Sequence, residues 1–327
     1  MPSTYIFLTL RNIASFFLAQ NAHLWALACP FGTHAVRLAP TIGWYANTRP
    51  KAKGARAMQR GDPSMLQQSE SGVAHEVETA SDRLRLVMGD EALARVQASR
   101  VMVLGLGGVG SNCAEALARG GVGSLVLVDR DVVAPSNLNR QAVAWQHTLG
   151  QPKSEVMEHL VRDINPDCQV TALNAFLGKD GLTDALAALP RPDCVVDAID
   201  TVSQKLAIAR WCQDEGIPLL SSMGGANKLN PCRLRFSTIE RTDVDPIARV
   251  MRKECRKRGI RGLRVLYSDE PPIPVEGGTG PDGRRDRSRS ILGTMSYLPP
   301  IMGQMIAGRV ICDLAGLSNE LDHQGWR

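Results

Sequence analysis

Residues 101–110 read VMVLGLGGVG, and this stretch decides the fold of the chain. Val101–Leu104 is a compact apolar run typical of a buried strand, and Ser111–Arg119 has a helical pattern. The glycines between them are Gly105, Gly107, Gly108 and Gly110. A strand, a glycine-rich turn and a helix in this order indicate nucleotide binding, because glycines admit a phosphate close to the backbone and the helix N-terminus offers free N–H groups.

The alternation of strands and helices continues beyond this unit. Further strands are predicted at Leu125–Val128, Gln169–Leu173, Cys194–Ala198 and Leu219–Ser222. Helices are predicted at Pro152–Ile164, Leu182–Leu189, Val202–Glu215, Pro246–Arg258 and Pro300–Leu314. The pattern predicts an α/β fold: a Rossmann-like, doubly wound, mainly parallel sheet with helices on both faces.

The positive charge of the chain lies mainly in its first residues. The formal net charge is +5, yet residues 1–61 hold seven Lys and Arg residues and no Asp or Glu, so the remainder is slightly acidic. Residues 1–75 are therefore expected to be a poorly packed extension, either a transit peptide or the result of a mis-assigned start, with Met58 or Met65 as the true first residue. We favour the mis-assigned start. Residues 76–327 are predicted to form the α/β domain.

The cysteines and the apolar stretches indicate the cellular compartment of the chain. The 8 cysteines form no Cys-x-x-Cys pair, which predicts no zinc site and a reducing, cytoplasmic location. No stretch reaches the roughly 18 to 20 apolar residues of a membrane span. Tyr297–Gly316 comes nearest and is predicted to be a core helix, with peripheral membrane contact as the alternative.

Residues that follow the glycine loop suggest which nucleotide is bound. Asp129 ends the next strand, where a carboxylate binds ribose hydroxyls; alone, this pattern has NAD as its default ligand. The segment 136–141, SNLNRQ, has no use in a dehydrogenase. Arg140 in this segment and Lys153 in a helix's first turn are placed to reach a triphosphate, where a guanidinium fork and an ammonium charge offset the charge of adenylyl transfer.

A pair of acids ends another strand. Asp197 and Asp200 follow Val195 and Val196, at the sheet edge where open α/β sheets bind ligands. We predict that Asp200 holds Mg²⁺ together with nucleotide phosphates. Asp197 is either a second ligand or a structural residue.

In this order, the motifs resemble the ThiF/MoeB/E1 superfamily of adenylating enzymes, and within it the tRNA threonylcarbamoyladenosine dehydratase branch. The resemblance covers roughly Arg83 to Leu314. It includes Ser221–Ala226 and the Pro-Pro helix near the end. The superfamily motifs present are Gly-x-Gly-Gly-x-Gly, Asp129-x-Asp131, Asn137-x-Asn139-Arg140-Gln141, Lys153 and Asp197-x-x-Asp200.

The resemblance implies an acyl-adenylate mechanism on tRNA. The threonine carboxylate of N6-threonylcarbamoyladenosine would be adenylated and then cyclised. ATP would be bound by Gly105, Gly107, Gly108, Gly110, Asp129, Asp131, Asn139, Arg140 and Lys153. The catalytic set would be Arg140, Lys153, Asp200 and Arg83, the last reaching the partner's ATP across a homodimer.

Two differences between this chain and other members of the superfamily indicate to which branch it belongs. Members that act on ubiquitin-like sulfur carriers usually hold zinc through two Cys-x-x-Cys pairs, which this chain lacks. Val265 stands where dehydratases of the best-known kind carry a cysteine. This puts a sulfur relay with a cysteine desulfurase in doubt and leaves adenylation untouched.

The carboxyl-terminal segment, about residues 240–327, is rich in Arg and Lys and is predicted to face tRNA, since such side chains give sequence-blind phosphate contacts. The predicted contacts are Arg252, Lys253, Arg256, Lys257 and Arg258, within a basic stretch that also holds Arg249, Arg261 and Arg264. A second run comprises Arg284, Arg285, Arg287 and Arg289. A solvated helix face is the alternative.

Three other functions remain open from the sequence. The nearest is adenylation of the C-terminal glycine of a ubiquitin-like sulfur carrier. The second is an NAD-dependent oxidoreductase, which would need a hydride-handling pocket that the sequence does not indicate. The third is a non-catalytic nucleotide-binding module, which would have little use for Arg140, Lys153 and Asp200 together.

Overall fold

Seven strands form one sheet in the computed structural model, which describes residues 78–175, 181–274 and 292–318. The strands are β1 Arg100–Leu104, β2 Ser124–Val128, β3 Gln169–Leu173, β4 Cys194–Asp197, β5 Leu219–Ser222, β6 Leu234–Thr238 and β7 Arg264–Ser268. The helices are α1 Asp82–Met88, α2 Asp90–Ala98, α3 Gly110–Arg119, α4 Lys153–Ile164, α5 Leu182–Ala187, α6 Val202–Glu215, α7 Pro246–Arg258 and α8 Leu298–Ala315. Short 3₁₀ turns connect several of them.

The strand order is β3-β2-β1-β4-β5-β7-β6, and only β6 runs antiparallel to its neighbour within the described sheet. The chain moves outward from β1 to β2 and β3, and then returns to β4 on the other side of β1. Leu104, the last residue of β1, pairs with Val128 and with Asp197. The glycine loop and the acidic end of β4 therefore meet at the reversal of strand order, where open α/β sheets bind their ligands.

Successive side chains of a strand point to opposite faces, and β1 shows how both faces are buried. Val101 and Val103 join a core cluster with α3, α4 and α8, whereas Met102 and Leu104 join one with α5, α6 and α7. Burial on both sides explains why the strands read as continuous apolar runs rather than as alternating patterns. Each fully buried Leu, Val or Met contributes roughly 1.5–3 kcal/mol.

Helix α8 packs directly against the start of α3. A side chain at Gly303 would collide with the carbonyl oxygen of Val109, and one at Gly108 would lie 2.9 Å from Cβ of Pro299. Two glycines thus allow the last helix to cover the glycine loop. Met302, Ile306 and Val310 bury the apolar side of α8.

The predicted α/β architecture is confirmed, with element boundaries that differ by at most two residues from those predicted. Helix α8 begins at Leu298, two residues earlier than predicted, because Pro299 and Pro300 are accepted in a first turn that needs no N–H groups. No described helix is long and apolar enough to cross a membrane. The predicted extension 1–75 and the second basic run, Arg284, Arg285, Arg287 and Arg289, lie outside the described residues.

Candidate active site

A cavity of about 440 Å³ opens at the carboxyl ends of β1 and β4. Its first wall carries charge, and we call it the charged wall: Asp129, Asp131, Arg140, Lys153 and Asp200. The facing wall carries none, and we call it the uncharged wall: Ser222–Ala226, Ile247, Leu292, Thr294 and Pro299. The glycine loop, with Gly105, Gly107 and Gly108, lies between them.

The glycines of the loop are required by close backbone approaches. Gly105 has a φ of +86°, and a side chain there would lie 3.0 Å from the backbone of Ala198. A side chain at Gly110 would overlap the carbonyl oxygen of Gly105, so Gly110 does not line the cavity but closes the turn. The tight turn directs the N-terminus of α3 toward the cavity, where its N–H groups and partial positive charge suit a phosphate.

Asp129 has a structural role that the sequence did not reveal. One carboxylate oxygen accepts the N–H of Leu106 at 2.5 Å, and the other accepts the N–H of Asp131 at 2.7 Å. The side chain thereby fixes the glycine loop. A carboxylate offers about four lone-pair sites, so Asp129 retains acceptors for ribose hydroxyls.

Both predicted cations, Arg140 and Lys153, line the cavity, and each also contacts other groups of the protein. Lys153 is 5% exposed, and its Nζ lies 3.4 Å from a carboxylate oxygen of Asp131. Nη1 of Arg140 donates to the carbonyl of Ser136 at 2.9 Å and to Oδ1 of Asn139 at 2.7 Å. Asn139 itself does not line the cavity; it positions Arg140 and donates to the carbonyl of Thr294 at 3.1 Å.

Gln141 is a site residue that the sequence indicated only as part of a motif. It lines the cavity at 7% exposure, and its Oε1 accepts no hydrogen bond from the part of the chain that the structure describes. A buried amide oxygen is expected to find a partner, so a ligand or water is expected here.

Asp197, the last residue of β4, and Asp200, three residues beyond it, have different surroundings. Asp197 is fully buried; its Oδ2 accepts Nζ of Lys205 at 3.0 Å and the hydroxyl of Ser221 at 2.7 Å. Its Oδ1 accepts the N–H of Ile199 at 3.1 Å, so both carboxylate oxygens are hydrogen-bonded to protein groups. Asp200, by contrast, is exposed and lines the cavity. Of the two readings of Asp197, the geometry supports the structural one.

A second buried ion pair lies beneath the uncharged wall. Nζ of Lys228 contacts Asp245 and donates to the carbonyl of Ser268 at 3.1 Å, and neither Lys228 nor Asp245 is more than 2% exposed. Asp245 also caps α7 by accepting the N–H of Ala248 at 2.8 Å. Three segments, namely the loop after β5, the end of β7 and the start of α7, are joined at this point.

The basic residues of α7 divide into engaged and available side chains. Arg252 donates to Thr242, and Lys257 and Arg258 pair with Glu254. Arg264, from the same basic stretch, pairs with Asp313 of α8 at 2.6 Å and so serves the fold. Among the basic side chains of α7, those that are exposed and form no ion pair with the described residues are Arg249, Lys253 and Arg256, on one face of the helix.

Arg83 and the thiols lie away from the cavity. Arg83 is exposed on α1 and does not line the cavity of its own chain. Val265 is fully buried in β7. Burial raises the pKa of the Cys194 thiol to about 12 and that of Cys168 to about 11, so these cysteines are packing residues. Cys232 is the exposed cysteine of the described ranges.

The sheet, the glycine loop and the charged wall define a Rossmann-like nucleotide-binding α/β protein. The model of the ThiF family matches residues 81–323, and the chain belongs to that family. It is 40% identical to the tRNA threonylcarbamoyladenosine dehydratase of Bacillus subtilis over 238 residues, which cover 71% of this chain and 93% of that protein.

Two comparisons with Escherichia coli extend this result. The tRNA threonylcarbamoyladenosine dehydratase of strain K12 is 34% identical over 200 residues, which cover 58% of this chain and 74% of that protein. The crystal structure of the E. coli enzyme TcdA in complex with ATP superposes with a TM-score of 0.62 at 27% identity, covering 74% of this chain and 99% of that one. The resemblance identified from the motifs is confirmed.

Proposed function

We propose that this chain is an ATP-dependent tRNA threonylcarbamoyladenosine dehydratase. It would adenylate the threonine carboxylate of the modified adenosine and close the cyclic form. The observation that carries the proposal is the match over 93% of the Bacillus subtilis relative of this name, combined with a cavity that brings Arg140, Lys153 and Asp200 around the glycine loop. A tRNA substrate also suits the predicted cytoplasmic location.

The cavity fits ATP as a substrate. The glycine loop leaves no side chain between the backbone and a phosphate, and Asp129 has acceptors left for ribose. Arg140 and Lys153 lie on the same wall, where they would offset the negative charge of the triphosphate as the carboxylate oxygen attacks the α-phosphorus and pyrophosphate leaves. A nitrogen of the same modification then attacks the activated carbonyl and AMP leaves, so that the product is the substrate less one water. Ring closure is intramolecular, so orientation alone accelerates it.

The residues present fit Mg²⁺ as part of its ligand set, with the substrate phosphates supplying the rest. No group of three or more His, Cys, Asp or Glu side chains is gathered among the described residues, so the protein offers no complete cation cage. Mg²⁺ is usually bound by one or two carboxylates together with substrate phosphates. Asp200, which is exposed to the cavity, would supply that carboxylate, and the ion would neutralise phosphate charge.

A homodimer is part of the proposal. Arg83 would act on the partner's ATP, which agrees with its exposure and its absence from the cavity of its own chain. Mixing Arg83→Ala subunits with Lys153→Ala subunits would then rebuild one intact site in each mixed dimer. Partial recovery of activity supports action in trans, and no recovery contradicts it.

A partnership with a cysteine desulfurase would need an accessible thiol. Val265 at the predicted cysteine position is buried, and the adenylation and ring-closure steps use no thiol. If such a partner exists, Cys232 is the exposed thiol of the described residues that it would meet.

The test combines product and nucleotide analysis. Purified chain, ATP, Mg²⁺ and tRNA carrying the threonylcarbamoyl group should yield the cyclic nucleoside by mass spectrometry, with AMP and pyrophosphate in equal amounts. Omission of Mg²⁺ should abolish both. In a strain lacking the gene, the cyclic form should vanish and should return with the wild-type gene but not with Asp200→Ala. AMP release with a sulfur-carrier protein and none with tRNA would instead support the carrier alternative.

A further inference from the structure

Four large apolar side chains are exposed together beside the cavity, and we call them the apolar rim. They are Leu229, Ile273, Leu292 and Tyr297, with exposures of 45%, 40%, 67% and 37%. Backbone bonds join their three segments: the N–H of Asn227 donates to Gly293 at 2.8 Å, and the N–H of Ile273 donates to Asn227 at 2.7 Å. An exposed apolar cluster of this kind marks a binding surface more often than scattered single residues do.

The rim borders the end of the cavity where Arg140 lies. Leu292 and Thr294 line the cavity, as does Pro299, so Tyr297 stands between lining residues of its own segment. Asn139, which holds Arg140, also donates to the carbonyl of Thr294 at 3.1 Å. The rim is therefore continuous with the uncharged wall and is linked through Asn139 to Arg140, one of the cations proposed to meet the phosphates.

Tyr297 is held in a fixed position. Its hydroxyl donates to the carbonyl of Leu229 at 2.8 Å, which anchors the ring across the rim while part of it stays exposed. An anchored aromatic ring presents a flat surface with little conformational entropy to lose on binding.

These features suit a flat, uncharged group. Under the proposed function, the carboxylate to be activated is carried by an adenine base, so that base comes close to the cavity when the carboxylate enters it. Proteins hold displaced RNA bases by stacking them on aromatic side chains. We propose that the apolar rim is the platform for the modified adenine, with Tyr297 as its principal contact. This inference rests on the proposed function, and it names the part of the site that positions the substrate base.

The experiment compares Tyr297→Ala with Tyr297→Phe, using steady-state cyclisation of modified tRNA. Loss of a base–aromatic stack should lower kcat/KM for tRNA about 10- to 100-fold in Tyr297→Ala, with the KM for ATP unchanged. Tyr297→Phe loses only the bond to Leu229 and should stay within about threefold of wild type, since the ring remains. Trp145→Ala is the matched control, because Trp145 is a 56% exposed aromatic that does not line the cavity.

Two outcomes would overturn the inference while the proposed function stands. One is an active wild type with unchanged kcat/KM for tRNA in Tyr297→Ala. The other is a purely structural effect, seen as equal losses in the Phe and Ala variants or a parallel rise in the KM for ATP. A wild type that forms no cyclic product would instead overturn the proposed function. If Tyr297→Ala does not fold, Leu292→Ala, at the most exposed position of the rim, is measured instead: a lower kcat/KM for tRNA with an unchanged KM for ATP supports the platform, and an unchanged kcat/KM for tRNA overturns it.

Discussion

The two walls of the cavity are built in different ways. The charged wall comes from the segments that follow β2 and β4, together with the first residue of α4. Some of its side chains are held by short hydrogen bonds to the backbone, as in Asp129 and Arg140. The uncharged wall comes from segments as distant as Ser222 and Pro299, joined through the buried Lys228–Asp245 pair and the α3–α8 contact.

This difference separates two tasks that one cavity must perform. A nucleotide is bound by charge and by backbone N–H groups, and those can be supplied by a few consecutive residues after a strand. The acceptor, meaning the molecule whose carboxylate is activated, differs between branches of a family. Its recognition requires a surface of complementary shape, which several segments distant in sequence must form together. We therefore expect substitutions in the charged wall to impair chemistry with any acceptor, and substitutions in the uncharged wall to alter the choice of acceptor.

The largest effect is expected for Lys153→Ala. Removal of one preorganised charge from the charged wall should lower kcat about 100- to 1,000-fold, because its stabilisation is greatest in the transition state. AMP release in single-turnover assays measures this step. Arg162→Ala, an exposed position on the same helix, is the control and should keep wild-type activity. Near-normal AMP release from Lys153→Ala would contradict the expectation that substitutions in the charged wall impair the chemistry.

Asp197 and Asp200 lie only three positions apart, but their replacement should have different effects: one should lower stability and the other should lower activity. Asp197→Ala leaves Lys205 charged and buried, which should lower the free energy of unfolding by about 3–5 kcal/mol. Asp200→Ala should leave the urea midpoint unchanged and lower kcat roughly 100-fold. Urea unfolding and AMP release on both variants check this pair. A destabilised Asp200→Ala would show that its carboxylate serves the fold instead.

A smaller effect is expected on helix α7. Replacing Arg249, Lys253 and Arg256 together by Ala should lower the slope of log affinity for tRNA against log salt by about 2 to 3, since each phosphate contact contributes slightly less than one. ATP binding should not change. The matched triple variant Arg119→Ala, Arg162→Ala and Arg210→Ala removes equal charge from other helices, and an equal loss of slope in both would contradict a tRNA-binding role for α7.

The smallest effect concerns the cysteines, which should be silent in catalysis. Burial raises the pKa of Cys194 to about 12 and of Cys255 to about 11, so both thiols stay protonated at pH 8 and react only on unfolding. Exposed Cys232 should react at once with a thiol reagent. In Cys232→Ser, one fewer thiol per chain should react rapidly with the reagent, and the rate of cyclisation should be unchanged. Slower cyclisation would indicate that the Cys232 thiol takes part in the reaction.

The sequence predicted the charged wall more fully than the uncharged one, for a physical reason. Asp129, Arg140 and Asp200 follow strands whose order along the chain fixes their place at one sheet edge. Lys205 and Lys228 had no such marker, because a buried lysine is recognisable only once its partner is known. Likewise the sequence predicted that Asn139 binds ATP but not that its side chain accepts a hydrogen bond from Arg140, because such a contact is visible only in side-chain geometry. The engagement of Arg264 with Asp313 depended on the docking of α8, which local pattern does not encode.

The contact of Gly303 with Val109 has a consequence for the order of assembly. The fingerprint that begins at Gly105 is synthesised early, but its cover is a helix made almost 200 residues later in the numbering used here. A nascent chain released before Ala315 has a strand, a turn and a helix with an open flank, and contacts so distant in sequence form slowly. Nucleotide affinity should therefore arise only after the carboxyl-terminal helix has left the ribosome, which makes ligand capture a late event in biogenesis.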